Sequence, residues 1–262
     1  MKTLAAFYFT GTGNTRYIAD RLCKKLSKEY RTELFDITSA DDFTRQLAQA
    51  DVILLAFPIY GSAPPIPMRQ FVHRNGRFLS GKDVLIAETQ YFFSGDGAAS
   101  IGRTVQKFGG NVIGAEHFNM PNNLADCKIF PIKNAEEQKK TLARAEKRMD
   151  AFAKRILRGK TKKRGFGVFP HAVGYFCQRK YWWKGEAEKR KHLKIDPAQC
   201  VGCQKCVKNC PVANIQMENG KARALGHCVL CYRCVNLCPR RAITLIGSAP
   251  PEKQYKGPHT VQ

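Results

Sequence analysis

Eight of the eleven cysteines fall between positions 200 and 238, and their spacing specifies a chemistry. Cys200, Cys203, Cys206 and Cys210 stand before Pro211 as C-x2-C-x2-C-x3-C-P, and Cys228, Cys231, Cys234 and Cys238 repeat the pattern before Pro239. The second copy follows the first by 28 positions. Thiolates are soft ligands, and three at this spacing can wrap one corner of an iron–sulfur cube. Each iron needs a sulfur ligand of its own, so a fourth must come from elsewhere. Structural zinc is the alternative, but zinc ribbons use two separated C-x2-C pairs and leave a third cysteine without a role. The other cysteines, Cys23, Cys127 and Cys177, stand alone and read as small hydrophobes; Cys177, beside Gln178-Arg179-Lys180, is also a candidate reactive thiol. A disulfide framework belongs to small secreted domains, and the N-terminus reads as a buried strand rather than a signal peptide.

A second candidate site opens the chain. Phe9-Thr10-Gly11-Thr12-Gly13-Asn14-Thr15-Arg16 joins an apolar run to a helical one. Hydroxyls and backbone N–H groups at a helix N-terminus can bind phosphate without a cationic side chain. Arg16 stands where a dinucleotide fingerprint needs its third glycine, and there is no G-x-x-x-x-G-K-[ST], so those two nucleotide sites are disfavoured. Two more loops carry aromatics and glycines: Pro58-Ile59-Tyr60-Gly61-Ser62-Ala63-Pro64 and Thr89-Gln90-Tyr91-Phe92-Phe93-Ser94-Gly95-Asp96-Gly97. The histidines show no ligand spacing, and no Ser/His/Asp set or carboxylate pair suggests hydrolysis.

The elements that must position these loops alternate. Residues 4–9, 32–37, 52–57, 83–89 and 111–118 read as strands, and helical patterns fall near 14–29, 41–48, 68–78, 98–108 and 135–157. The run 52–57 is continuously apolar, as a strand covered on both faces must be. Parallel neighbours need crossover helices, so the alternation predicts an α/β fold with a doubly wound five-stranded parallel sheet. Ligands of such sheets sit at the carboxyl ends of the strands, where all three loops fall. Residues 159–194 form a basic, aromatic connector with no clear period. Residues 195–246 contain the cysteine repeat, and the Pro-rich tail 247–262 is expected to be disordered.

The repeat resembles the bacterial two-cluster ferredoxins at every cysteine, a small α+β domain. That resemblance implies two 4Fe–4S clusters with crossed ligands: Cys200, Cys203, Cys206 and Cys238 for one, Cys228, Cys231, Cys234 and Cys210 for the other. Asn219-Gly220 would turn the hairpin between the halves. Thr10, Thr12, Gly13 and Thr15 resemble the flavodoxin phosphate loop, T/S-x-T-G-x-T, and the likeness to flavodoxins spans nearly all of residues 1–158. It implies FMN held by Thr10, Gly11, Thr12, Gly13, Asn14 and Thr15 around the phosphate. Pro58, Tyr60, Gly61, Thr89, Tyr91, Phe92, Gly95 and Asp96 would lie around the ring. Together the two halves resemble the single-chain flavodoxin–ferredoxin fusions of anaerobes.

The implied role is electron transfer between FMN and the clusters, linking two-electron and one-electron partners. A flavin-dependent reductase acting on a small organic substrate is the alternative. Charge bears on partners. The net charge is +23, and residues 139–195 hold nineteen Lys/Arg against four acids, a net +15 that leaves +8 for the rest. Such a field favours redox proteins with acidic docking surfaces or peripheral contact with an anionic membrane. The segment lacks a recognised nucleic-acid fold, which disfavours nucleic acid. The longest apolar stretch is too short to span a bilayer, so a soluble, reducing cytoplasmic setting is expected.

Overall fold

Tyr8, Pro58 and Gln90 end three neighbouring strands on one edge of a sheet, and everything below depends on that edge. The computed structural model describes residues 1–39 and 41–260. Strands β1 (Lys2–Tyr8), β2 (Tyr30–Asp36), β3 (Val52–Pro58), β4 (Asp83–Gln90) and β5 (Asn111–Asn119) form one parallel sheet in the order β2-β1-β3-β4-β5. The order reverses between β1 and β3, which pair from Leu4↔Val52 to Tyr8↔Ala56.

Alternation along each strand builds two cores. Leu4, Ala6 and Leu54 face one layer with helices α1 (Asn14–Leu26) and α5 (Ala135–Leu157). Ala5, Phe7, Ile53 and Leu55 face the other, with α2 (Thr44–Gln49), α3 (Ile66–Arg74) and α4 (Gly97–Lys107). Helix α5 is capped by Asn134, whose side chain accepts from Glu137 N at 2.9 Å, with acids in its first turn and bases in its last.

The connector forms more regular structure than its sequence period suggests. Helix α6 (Val168–Ala172), a π-helical stretch (Val173–Arg179) and α7 (Lys180–Lys189) run on continuously. The pattern is obscured because a charged residue faces inward: Arg179 is 1% exposed and donates to Asp96 at 2.5 and 2.9 Å. Glycines let the backbones meet; a Cβ at Gly95 would strike Gly174.

Beyond it lies a small unit: β6 (Lys194–Ile195), α8 (Lys205–Lys208), β7 (Ile215–Glu218), β8 (Lys221–Ala224), α9 (Arg233–Leu237) and β9 (Ile243–Thr244). β7 and β8 form an antiparallel hairpin turned at Asn219 and Gly220, both at positive φ, and β6 pairs with β9. The described part of the tail, residues 247–260, is tied to the cysteine unit, while the expectation of disorder at 261 and 262 lies outside the described residues. Gln254 Nε2 donates to Val235 O and Cys238 O, and Tyr255 is 2% exposed, with its N donating to Asn236 Oδ1 at 2.7 Å. One buried tyrosine and a few backbone acceptors anchor it, a signal that polar, Pro-rich composition conceals.

Candidate cofactor sites

The three predicted loops converge on a cleft of about 160 Å3 at the carboxyl edge of the sheet. Thr10, Gly11, Thr12, Asn14 and Thr15 line one end, and Pro58, Tyr60, Gly61, Thr89 and Tyr91 are among the other lining residues. Gly13 is the N-cap of α1 at φ 98°, a conformation that favours glycine, and no side-chain bond caps this helix. The turn is held by Gly13 N donating to Thr10 Oγ1 at 3.1 Å, and Thr15 and Thr89 join their hydroxyls at 2.7 Å. An uncapped helix N-terminus ringed by hydroxyls suits a phosphate. At the other end Tyr60 Oη, Gln90 Oε1 and Trp182 Nε1 are buried and have no partner among the described residues. All three residues line the cleft, so their free donors and acceptor suit a planar ring with carbonyl and N–H edges. Burial holds the Tyr60 phenol well above its ordinary pKa.

Three expected ring contacts are placed elsewhere. Phe92 is 82% exposed, and Gly95 packs on the connector. Asp96 is buried in an ion cluster, accepting from Arg179, from His171 Nδ1 at 2.7 Å and from Arg103 at 2.8 Å. Burial opposes its ionisation, but these bonds outweigh it and hold the carboxyl below its usual range. The physical reason is local: the loop after β4 turns at Gly95 to begin α4, which swings Asp96 toward the connector.

The cysteines are all free and sort across the repeats. Cys200, Cys203 and Cys206 share one small cavity with Cys238. Burial pushes the Cys228 thiol up to about 12, and the charges of Cys231 and Cys210 add to it. Cys234 is likewise raised, first by burial and then by Cys231, Cys228, Cys210 and Cys206. Backbone amides point at the sulfurs: Ala222 N to Cys200 at 3.4 Å, Ala242 N to Cys238 at 3.3 Å, Asn214 N to Cys210 at 3.2 Å and Leu230 N to Cys228 at 3.3 Å. Clustered sulfurs, four of them met by backbone N–H donors, suit a charged sulfur-bridged group.

Comparison with known families agrees with this arrangement. Residues 5–112 match the family described as a flavodoxin domain, and residues 192–245 match a 4Fe-4S dicluster domain. The chain is a flavodoxin domain joined to an iron–sulfur domain. A Fusobacterium nucleatum flavodoxin solved with flavin mononucleotide is 20% identical, covering 60% of this chain and 98% of its own, at a TM-score of 0.44. A two-electron reduced Megasphaera elsdenii flavodoxin is 21% identical, covering 56% and 99%, at a TM-score of 0.41. A short-chain flavodoxin associated with a non-canonical PDU bacterial microcompartment is 18% identical, covering 62% and 100%, at 0.43. Comparison with curated proteins gave no match. A flavodoxin domain implies FMN and the dicluster domain implies iron–sulfur, so the chain serves electron transfer. Among the described residues no helix is long and apolar enough to cross a membrane.

The cleft is walled in part by residues beyond the three loops: Asn122, Asn123 and Leu124 come from the segment after β5, whereas Trp182 of the connector and Leu230 and Tyr232 of the second cysteine repeat come from outside residues 1–158. Asn123 Nδ2 donates to Thr12 Oγ1 at 3.1 Å, and Asn14 Nδ2 to Pro121 O at 2.9 Å. The position of Asn122 and Asn123 just beyond a strand end was a usable signal, since that edge is where ligands sit. Nothing in the local sequence marks Trp182, Leu230 or Tyr232, because domain packing alone brings them to these loops.

Proposed function

We propose that this chain carries electrons between FMN, bound in the cleft, and two 4Fe–4S clusters, so joining two-electron to one-electron partners. The observation that carries the reading is the shared wall: Leu230 and Tyr232 of the second repeat line the same cleft as Thr10, Tyr60 and Thr89. FMN exchanges electrons singly or in pairs and each cluster exchanges one, which is the chemistry these groups supply when bound. The protein's part is placement. Thr10, Thr12, Asn14 and Thr15 would hold the phosphate, while Tyr60, Gln90 and Trp182 would meet the polar edge of the ring.

The cavity shared by Cys200, Cys203, Cys206 and Cys238, and the nearness of Cys210 to the buried Cys228 and Cys234 thiols that it helps to raise, favour the crossed ligand sets. Amide bonds to their sulfurs stabilise negative charge there and tune the potential. Val201, Cys203, Lys205 and Arg240 are exposed around the first set, without an acid among the residues lining that cavity. That face fits a one-electron redox protein with an acidic surface.

Anaerobic reconstitution tests the reading. One FMN and about eight irons per chain are expected, with EPR of two interacting clusters after reduction. Cys210→Ala should remove the cluster of Cys228, Cys231 and Cys234 and spare the other. Loss of the first-repeat cluster instead, or bound zinc in place of iron, would overturn the assignment.

A further inference from the structure

The two cysteine sets are mounted differently. The cavity of Cys200, Cys203, Cys206 and Cys238 is lined only by residues between positions 195 and 243. The second repeat instead grows into the flavodoxin domain. Val229 and Cys231 pack in the same apolar cluster as Phe9 and Phe57. A Cβ at Gly11 would strike the Cys231 carbonyl, so the phosphate loop and the cysteine loop lie backbone against backbone.

Arg233 joins these two loops. Its Nη2 donates to Thr10 O at 2.7 Å and its Nε to Gly11 O at 3.0 Å, while Nη1 reaches Asn209 O at 3.1 Å, beside Cys210. Tyr232 Oη donates to Asp126 Oδ1 at 2.7 Å, and Asn236 Nδ2 to Asn123 O at 2.9 Å. Leu230 and Tyr232 take φ of 59° and 61°, a region where side chains with a Cβ are strained unless their surroundings impose it. Cys228, Cys231 and Cys234 lie within that same stretch, so a group bound to all three would pin the strained turns.

We infer that residues 230–233 are a wall of the flavin site set in place by the group that Cys210, Cys228, Cys231 and Cys234 bind, with Arg233 as the positioning residue. Flavin binding then requires that group and not the one held by Cys200, Cys203, Cys206 and Cys238. The inference rests on the function proposed above. Without their shared partner, the buried sulfurs of the second set no longer hold the left-handed turns. The loop relaxes, Arg233 leaves the Thr10 and Gly11 carbonyls, and one side of the cleft opens. Relaxation around Cys203, which is exposed, meets no flavin-lining residue.

The test is the affinity of the full-length, iron-loaded protein for FMN, read by quenching of flavin fluorescence, with iron counted in each variant. Cys203→Ala should bind FMN within about twofold of wild type, whereas Cys234→Ala weakens it by about tenfold or more. Arg233→Met should keep its iron and still lose roughly threefold to tenfold, with Arg233→Lys falling between it and wild type. Wild-type affinity in a Cys234→Ala protein that has lost its second-set iron would overturn the inference, as would equal losses in the two cysteine variants. If Cys234→Ala does not fold, Arg233→Met decides, and unchanged affinity there overturns it. A wild type that binds iron but no FMN would sink the proposed function as well, and is told apart because the parent protein itself fails.

Discussion

Replacing Asp96 by Ala removes an acceptor that faces two arginines and a histidine. Its carboxylate is fully buried and takes two bonds from Arg179, itself 1% exposed, besides those from His171 and Arg103. The variant leaves the Arg179 guanidinium buried without its counter-ion, and removing one member of a buried pair costs about 3–5 kcal/mol. Arg103 and His171 are about half exposed, so water replaces most of what they lose. For a chain of this size the melting midpoint should fall by roughly 10 °C. Because the pair ties the connector to the loop after β4, the loss should appear first as a change in tryptophan emission, since Trp182 and Trp183 ride on α7. The assay is thermal unfolding of the anaerobic, cofactor-loaded protein. Adding Arg179→Met to Asp96→Ala should recover a large part of the loss, because an apolar replacement removes the stranded charge. A drop below about 2 °C for Asp96→Ala, or strictly additive effects in the double variant, would refute the reasoning. The pair also has a pH signature. A carboxyl held below its ordinary pKa stabilises above the unfolded-state value, and that contribution is lost as pH falls through the folded one.

Gly61 has φ 55°, and a Cβ there would lie 2.6 Å from the Trp182 ring, so Gly61→Ala should displace Trp182 and weaken FMN binding by about tenfold. Unchanged flavin fluorescence titration would mean that the loop yields freely. Burial raises the Glu88 carboxyl to about 8 and lowers His117 to about 4. Between pH 6.5 and 8 the folded protein therefore holds a Glu88 proton that the unfolded chain has released, and stability should fall as pH rises; Glu88→Gln should flatten that slope in urea midpoints. The basic stretch 139–195 should slow electron transfer to an acidic partner as salt rises, and should bind vesicles of anionic but not neutral lipid if it rests on a membrane. Salt-independent rates and no vesicle binding would leave it as a solubilising surface.

Much of the architecture is carried by short-range pattern. The apolar run of β3 calls for a strand covered on both faces, and the alternation with helices calls for parallel neighbours, which is the sheet observed. The Asn219-Gly220 hairpin is local in the same sense, since its turn needs residues that accept positive φ. The cysteine spacing is equally local. Loops at the strand ends follow from sheet topology, and so Thr10, Tyr60 and Thr89 were legible as neighbours before their distances were known.

Other features depend on contacts between residues far apart in the chain, and no periodicity encodes them. Asp96 reads as one more polar residue beside a ligand loop until Arg179, 83 positions away, is packed over it. The connector hides its helix because its inward face carries that arginine, and the tail hides its order because Tyr255 finds Asn14 and Asn236 only after folding. The same is true of which cysteine repeat meets the loops at the strand ends. Two copies of one spacing are equivalent as sequence. Only the packing of Cys231 against Gly11, with Arg233 reaching the Thr10 and Gly11 carbonyls, makes them different, because a backbone contact between domains is a property of their shapes and not of either motif.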